Sequence, residues 1–392
     1  MRLLSGLLLL VGVLLVRADD PDWGPYGEEC LAQSPSIYDP VIFTKVPWFT
    51  IDLDLPPHLR WEWVAQAYGD KMKAALAVVK GFINSVGGDG VWEVVSDLME
   101  SSIDRVDQPY RDEITVIAKI AGMPVGDLTL MNLFYEVSKM CTSIVAQDAN
   151  GKMFHGRNQD FGTFFFWNPK TGTWDLTTAL KDIVINLQFV RNGKLLFKGV
   201  TFAGHMGILT GLRPKAFTVT VNSRFGSAAT GMFDFFVHGL GDTNFLVYAI
   251  RDMMTNCETY EEAVDFMSTV PLIAKGYLIM SGPKPGDGVV LTRTFNQTDH
   301  FDRIDANNEK WFVLETNYDW DQPVLFLDDR RGPGRDCMEQ QRRDRIGLDG
   351  LYQVLSSKPN LNKATVYTAV MEVNSGILQS QIRSCEDPCW FV

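Results

Sequence analysis

From Trp61 to Val86 apolar residues recur at helical spacing, and the run stops at Gly87-Gly88. Val91 to Met99 and Ile114 to Ile120 repeat that periodicity, and Pro124-Val125-Gly126-Asp127 opens another helical run through Leu130, Phe134 and Val137. Upstream, Trp48, Phe49 and Ile51 lie in an extended, aromatic-rich segment closed by Pro56-Pro57. The pattern changes at Cys141. From there the period falls towards two, and Thr142–Gln147, Met153–His155, Ile183–Val190, Leu195–Phe202 and Phe217–Val221 read as strands. Asn192-Gly193 between two of them is a hairpin signal. Helices return at Phe245–Met254 and Tyr260–Phe266; strands follow at Tyr277–Ser281, Gly288–Arg293 and Trp311–Thr316. Leu348–Leu355 is helical and Ala364–Val373 extended. This order predicts an α+β fold of stacked antiparallel sheets with helices outside, preceded by a mainly helical part. A βαβ array would need a glycine fingerprint that is missing.

The first residues change the compartment. Arg2, the fourteen-residue apolar run from Leu3 to Val16, and Ala18 form the pattern of a secretory signal over residues 1–18. A membrane-spanning helix needs about 20 apolar residues, so the run is short for an anchor. The expected product is soluble, in an oxidising lumen or outside the cell. The net charge is −12, and removing Arg2 and Arg17 with the leader takes it to −14. Such a surface repels nucleic acid backbones, and no nucleic-acid partner is expected.

Six cysteines are too few to build a scaffold of 392 residues, so the core must carry the fold. Cys385-Glu-Asp-Pro-Cys389 suits a local disulfide, since no second Cys or His cluster offers metal-ligand spacing. Cys30 and Cys337 could pair, although connectivity stays open at this level. Asn296-Gln297-Thr298 is a glycosylation sequon, in a polar stretch, Asn296–Arg303, that reads as an exposed loop.

Cys141 sits where helix pattern gives way to strand pattern. A buried thiol often serves only as a small apolar filler. As a nucleophile it needs a base. His155 is the nearest histidine in a possible hairpin partner, but neither a papain-like signature nor a Gly-x-Ser-x-Gly elbow is present. If the Met140–Cys141 bond were cut, Cys141 would carry its own base, an α-amine with an ordinary pKa of about 7.7–8.0. Such chemistry needs a carboxylate for the amine, an oxyanion donor and a cation, and no metal or cofactor. Arg157 and Asp160, in a loop expected after the second strand, are close enough in sequence to pair; their bland reading is a surface salt bridge. Asn317 could donate to an oxyanion or simply cap a turn. In Asp328-Asp329-Arg330-Arg331 one arginine could face inward, or both could face solvent. Arg342-Arg343-Asp344-Arg345 reads as a solvated helix start.

Taken together, VPWFTIDLDLPP (46–57), CTSIVAQD (141–148), HGRNQDFG (155–162), TNYD (316–319), DDRR (328–331), VYTAVM (366–371) and CEDPC (385–389) resemble the acid ceramidases, lysosomal N-terminal-nucleophile hydrolases. QD at 147–148 and GVVLTR at 288–293 also resemble the related N-acylethanolamine acid amidases.

The resemblance implies a four-layer αββα fold and self-cleavage between Met140 and Cys141. Helical and catalytic subunits, 19–140 and 141–392, would then be joined by a Cys30–Cys337 disulfide, with Cys385–Cys389 a local bridge and Cys257 free. It implies that Cys141 attacks the amide of ceramide through a thioester, that Asp160 holds the amine, that Arg157 positions carbonyl and nucleophile, that Asn317 stabilises the oxyanion and that Arg330 supports the site. It also implies a lysosomal location, with some secretion. The implied partners are ceramide or a related N-acyl lipid, a saposin-type lipid-presenting activator and anionic lysosomal membranes. Phe164-Phe165-Phe166-Trp167 would rim an apolar groove or fill the contact between subunits. Relatives often carry an acidic residue in an Asn-Glu-Arg run where this chain has Asn222-Ser223-Arg224. The competing readings are an N-acylethanolamine acid amidase and a secreted lipid-binding protein without activity.

Overall fold

The computed structural model describes residue 30, residues 38–137, 140–161, 167–224, 243–325 and 328–387, and residue 389. The expected signal over 1–18 and the aromatic residues 164–166 lie outside the described residues.

The helical signals of the first part convert into four helices. α1 (Glu62–Gly87) buries Val64, Ala65, Tyr68, Met72, Ala75, Leu76 and Val79 along one stripe, as its spacing requires. α2 (Val91–Ser101) and α3 (Tyr110–Ala121) pack with it, and α4 (Val125–Val137) packs on α2 and α3. Before them, β1 (Trp48–Asp52) pairs in parallel with β6 (Val184–Arg191), so the aromatic N-terminal segment is an edge strand of a sheet from the second half of the chain.

Two sheets follow. β2 (Met140–Gln147), β3 (Met153–Asp160), β13 (Phe312–Glu315), β14 (Thr365–Glu372) and β15 (Ile377–Ile382) form a five-stranded sheet in the order β13-β2-β3-β14-β15. The other has eight strands, β1-β6-β7-β8-β9-β10-β11-β12, with β7 (Lys194–Phe202), β8 (Thr210–Arg213), β9 (Phe217–Ser223), β10 (Gly276–Ser281), β11 (Gly288–Arg293) and β12 (Thr298–Arg303). A small hairpin, β4 (Trp167–Asn168) with β5 (Thr173–Trp174), leads into α5 (Asp175–Lys181). The β6–β7 turn has Asn192 at φ 52° and Gly193 at φ 67°, the left-handed pair the dipeptide signalled.

β2 lies over β9, β10 and β11, and the interlayer is filled by Val145, Met153, Tyr277, Ile279, Val290 and Val313. α6 (Leu246–Asn256) and α7 (Tyr260–Thr269) cover the outer face of the large sheet; α8 (Arg331–Gln341) and α9 (Leu348–Ser356) cover the small one. The stack is helix, sheet, sheet, helix, the expected four-layer αββα arrangement.

Three expectations need correction. The strand expected at Met153–His155 runs to Asp160, and all eight of its residues are buried. Its polar second half hid the alternation, because Asn158 and Arg157 are hydrogen-bonded to partners on opposite faces of the sheet. Gly156 permits the close approach of α9: a Cβ there would meet Leu355 Cδ1 at 2.9 Å. The polar stretch expected as a loop at Asn296–Arg303 becomes edge strand β12 from Thr298, half-buried and exposed residues alternating, with Asn296 exposed in the preceding turn. Arg342 to Arg345 do not start a helix; Arg342 ends α8 at φ 62°. The chain pairs Cys30 with Cys337 and Cys385 with Cys389; Cys257 is a free thiol.

Candidate active site

Cys141 is the second residue of β2, an inner strand between β13 and β3. Its register partner is Gln159, so both side chains enter the space between the sheets. Cys141 is fully buried, and its Sγ accepts from Arg157 Nη2 at 2.7 Å and Gln159 Nε2 at 3.4 Å. Arg157 also donates from Nη1 to the Leu209 carbonyl at 2.7 Å and to Thr210 Oγ1 at 3.2 Å, and its guanidinium lies over the Tyr367 ring. It is fully buried, and among the described residues no carboxylate forms an ion pair with it. An uncompensated buried cation against a sulfur favours the thiolate.

The backbone of Cys141 is held from the other side. Its N–H donates to Asn317 Oδ1 at 2.8 Å, and its carbonyl accepts from Arg330 Nη1 at 2.6 Å. Arg330 Nη2 reaches the same Asn317 oxygen at 2.9 Å, while Nε and Nη2 fork onto Asp328 at 2.9 and 3.2 Å. Burial works against the Arg330 charge, but Asp328 and Asp160 raise its pKa above the ordinary value. Asp160 Oδ2 takes Arg330 Nη1 at 3.4 Å and Asn362 Nδ2 at 3.3 Å. Burial raises the Asp160 pKa to about 6, against the pull of Arg330, Thr365 and Asn362.

The structure thus gathers Cys141, Arg157, Asp160, Asn317 and Arg330 around one residue. Arg157 and Asp160 do not form the surface pair that their spacing allowed. Of the two arginines in question, Arg330 is the one that faces inward; Arg331 donates to the carbonyls of Asp319 and Gln322. With the Met140–Cys141 bond inside β2, Asn317 offers its oxygen to Cys141, and its amide N–H group donates to the Ser223 carbonyl at 2.8 Å. His155 turns its ring nitrogens to Thr218 Oγ1 and Thr220 Oγ1, and burial, reinforced by Arg157, lowers its pKa to about 3.

Sequence reasoning did not single out Gln159, Tyr367 or Asn362. Gln159 and Tyr367 lie inside motifs already quoted, HGRNQDFG and VYTAVM, and strand alternation from Cys141 would have pointed to Gln159. Asn362 follows a turn and carried no signal. Among the described residues no group of three His, Cys, Asp or Glu could hold a metal, and no helix is long and apolar enough to cross a membrane.

Residues 141–331 match the family of linear amide C–N hydrolases, the choloylglycine hydrolase family, and the match begins at the cysteine described above. Residues 44–106 match the beta subunit of N-acylethanolamine-hydrolyzing acid amidase. The chain is 39% identical to a probable acid ceramidase of Caenorhabditis elegans over 100% of this chain and 98% of that protein. It is 36% identical to the acid ceramidase of Homo sapiens over 93% of each. A solved structure of a Caenorhabditis elegans N-acylethanolamine-hydrolyzing acid amidase ortholog superposes with a TM-score of 0.53 at 31% identity, covering 62% of this chain and 100% of that one. With such identity over nearly its whole length, the chain belongs to the acid ceramidase family.

Proposed function

We propose that this chain is the precursor of a lysosomal amidohydrolase that cuts the amide bond of ceramide, releasing sphingosine and a free fatty acid, with Cys141 as nucleophile. The observation that carries the mechanism is the 2.7 Å contact between the buried guanidinium of Arg157 and the Cys141 sulfur. Cleavage of the Met140–Cys141 bond would convert the nitrogen now held by Asn317 into an α-amine on the same residue as the sulfur. That amine takes the thiol proton. The thiolate adds to the amide carbonyl, the amine returns the proton to the departing nitrogen, and sphingosine leaves. Water then attacks the thioester, the S–C bond breaks and the fatty acid is freed. Asp160 would hold the ammonium, Arg330 would orient Asn317 and the Cys141 carbonyl, and Asn317 would turn its amide towards the oxyanion.

The two subunits would be 19–140 and 141–392, and the Cys30–Cys337 disulfide spans that cut. The signal-like leader supports entry to the secretory route and delivery to the lysosomal lumen, with some secretion. Because ceramide is water-insoluble, a saposin-type activator or peripheral contact with anionic membrane would present it.

The test follows intact mass and turnover of ceramide and N-acylethanolamine side by side in acidic buffer. The reading requires a new chain starting at Cys141, faster turnover of ceramide, and loss of both cleavage and turnover in Cys141→Ala. Faster turnover of N-acylethanolamine would move the enzyme to the related amidases, and full turnover by an uncut chain would remove the α-amine mechanism.

A further inference from the structure

Three consecutive residues at the end of β9 reach across to the end of β13, from one sheet to the other. Asn222 Nδ2 donates to the carbonyls of Glu315 at 2.9 Å and Thr316 at 2.8 Å. The Ser223 carbonyl accepts from Asn317 Nδ2 at 2.8 Å. Arg224 forks onto Asp319, Nε to Oδ1 and Nη2 to Oδ2, both at 2.7 Å. The residue enclosed by these ties is Asn317, whose oxygen receives the Cys141 N–H.

We propose that the Arg224–Asp319 pair is a positioning clamp that seats Asn317 against the Cys141 nitrogen. The inference rests on the reading of Cys141 as nucleophile. A two-bond fork fixes orientation as well as distance, which a single hydrogen bond does not. The clamp is itself braced: Tyr277 donates its hydroxyl to Asp319 Oδ1 at 2.6 Å, and Arg224 Nη1 reaches Asp299 at 3.0 Å. The Arg224 and Asp319 side chains are 16% and 27% exposed, so the pair is partly screened and stabilises the fold modestly. Its geometric effect is larger, because Asn317 hangs from the short segment between the two tied points and touches Cys141 directly. Ser223 joins through its carbonyl, so the clamp asks for no acidic side chain at the position where relatives often have one.

The test compares Arg224→Lys, Asp319→Asn and the exchanged pair Arg224→Asp/Asp319→Arg with the parent. The readouts are the half-time of self-cleavage, KM, and kcat per active site counted by thiol alkylation. Arg224→Lys keeps the charge and loses the fork. Arg224→Lys and Asp319→Asn should lower kcat per counted site about tenfold, slow self-cleavage and move KM less than about twofold, since small misplacements near a nucleophile act on the chemical step. The exchanged pair should recover part of that loss. A merely structural pair would reduce melting temperature and the number of counted sites while kcat per site stayed at the parent value, and that result overturns the clamp. If the parent itself neither cuts nor turns over, the reading of Cys141 fails instead.

Discussion

Arg157 and Asp160 stand three residues apart on one strand and serve opposite faces of it. Arg157 points between the sheets onto the Cys141 sulfur, while Asp160 points outward to Arg330 and Asn362. Side chains alternate along a strand, so an odd spacing separates two charges by the thickness of the backbone. The Cys141 sulfur and the Asp160 carboxylate are therefore held on opposite faces of the small sheet.

Removing the cation on the sulfur side should be costly. Arg157→Gln removes the guanidinium that donates directly to Sγ and leaves only the more distant charge of Arg330, and turnover should fall about 10²- to 10³-fold. Alkylation of Cys141 by iodoacetamide should also need higher pH than in the parent. Unchanged alkylation at acidic pH would mean that Arg157 does not support the thiolate.

On the other side, Arg330 binds Cys141, Asn317, Asp328 and Asp160 at once. Lysine cannot reproduce that planar set of donors. Arg330→Lys should slow self-cleavage about tenfold or more while the precursor stays folded, read by circular dichroism and intact mass. A parent-like rate would reduce Arg330 to a scaffold residue.

These relationships also mark what the chain disclosed before folding. The switch from helical to strand periodicity located Cys141, and the Asn192-Gly193 signal located the β6–β7 hairpin, because both depend on local backbone preference. The extension of β3 through Arg157 and Asp160 was hidden because its polar residues are paid for by distant partners: Leu209, Thr210, Leu355 and Asn360. The family resemblance named the five site residues, but not that Asn317 turns its oxygen to Cys141 and its nitrogen to Ser223. Nor could periodicity place β1 in the sheet of the second half, since an edge strand's partner is a long-range choice.

Glu315 gives a pH prediction with a defined sign. It lies opposite Ser143 in the β13–β2 pairing. Burial pushes its carboxyl from 4.5 up to about 8, despite Arg331. The folded chain binds this proton more tightly than the unfolded chain does. That contribution is full below pH 4.5 and is lost as pH rises towards 8. Asp160 behaves alike between 3.8 and about 6. His155 opposes them, losing stability as pH falls from 6.5 through about 3. Above pH 6.5 Glu315 is the one of these three still titrating. Glu315→Gln, which mimics the protonated acid, should raise the melting temperature by several degrees at about pH 7.5 and by much less at about pH 4.5. An equal shift at both pH values would show that Glu315 takes up no proton on folding.

Cutting at Met140–Cys141 should not by itself separate the two chains, even without the disulfide. β1 is built into the large sheet beside β6. Glu113, buried on α3, takes Arg251 of α6 through two bonds, Nη1 at 2.5 Å and Nη2 at 2.8 Å. The Arg251 guanidinium is packed over Trp61, Tyr110 and Phe189. Asn132 of α4 donates to the Gly204 carbonyl at 2.8 Å and accepts from the Met206 N–H at 2.9 Å. All these ties cross the cut except the contact between Arg251 and Phe189, which lie on the same side of it. Cys30→Ser with Cys337→Ser should therefore run as two bands when denatured and as one complex in native size exclusion. Adding Glu113→Gln leaves the Arg251 charge poorly compensated in the interior, a loss of about 3–5 kcal/mol, and should release the helical chain. Separation of the double cysteine variant with Glu113 intact would show instead that the disulfide alone holds the halves together.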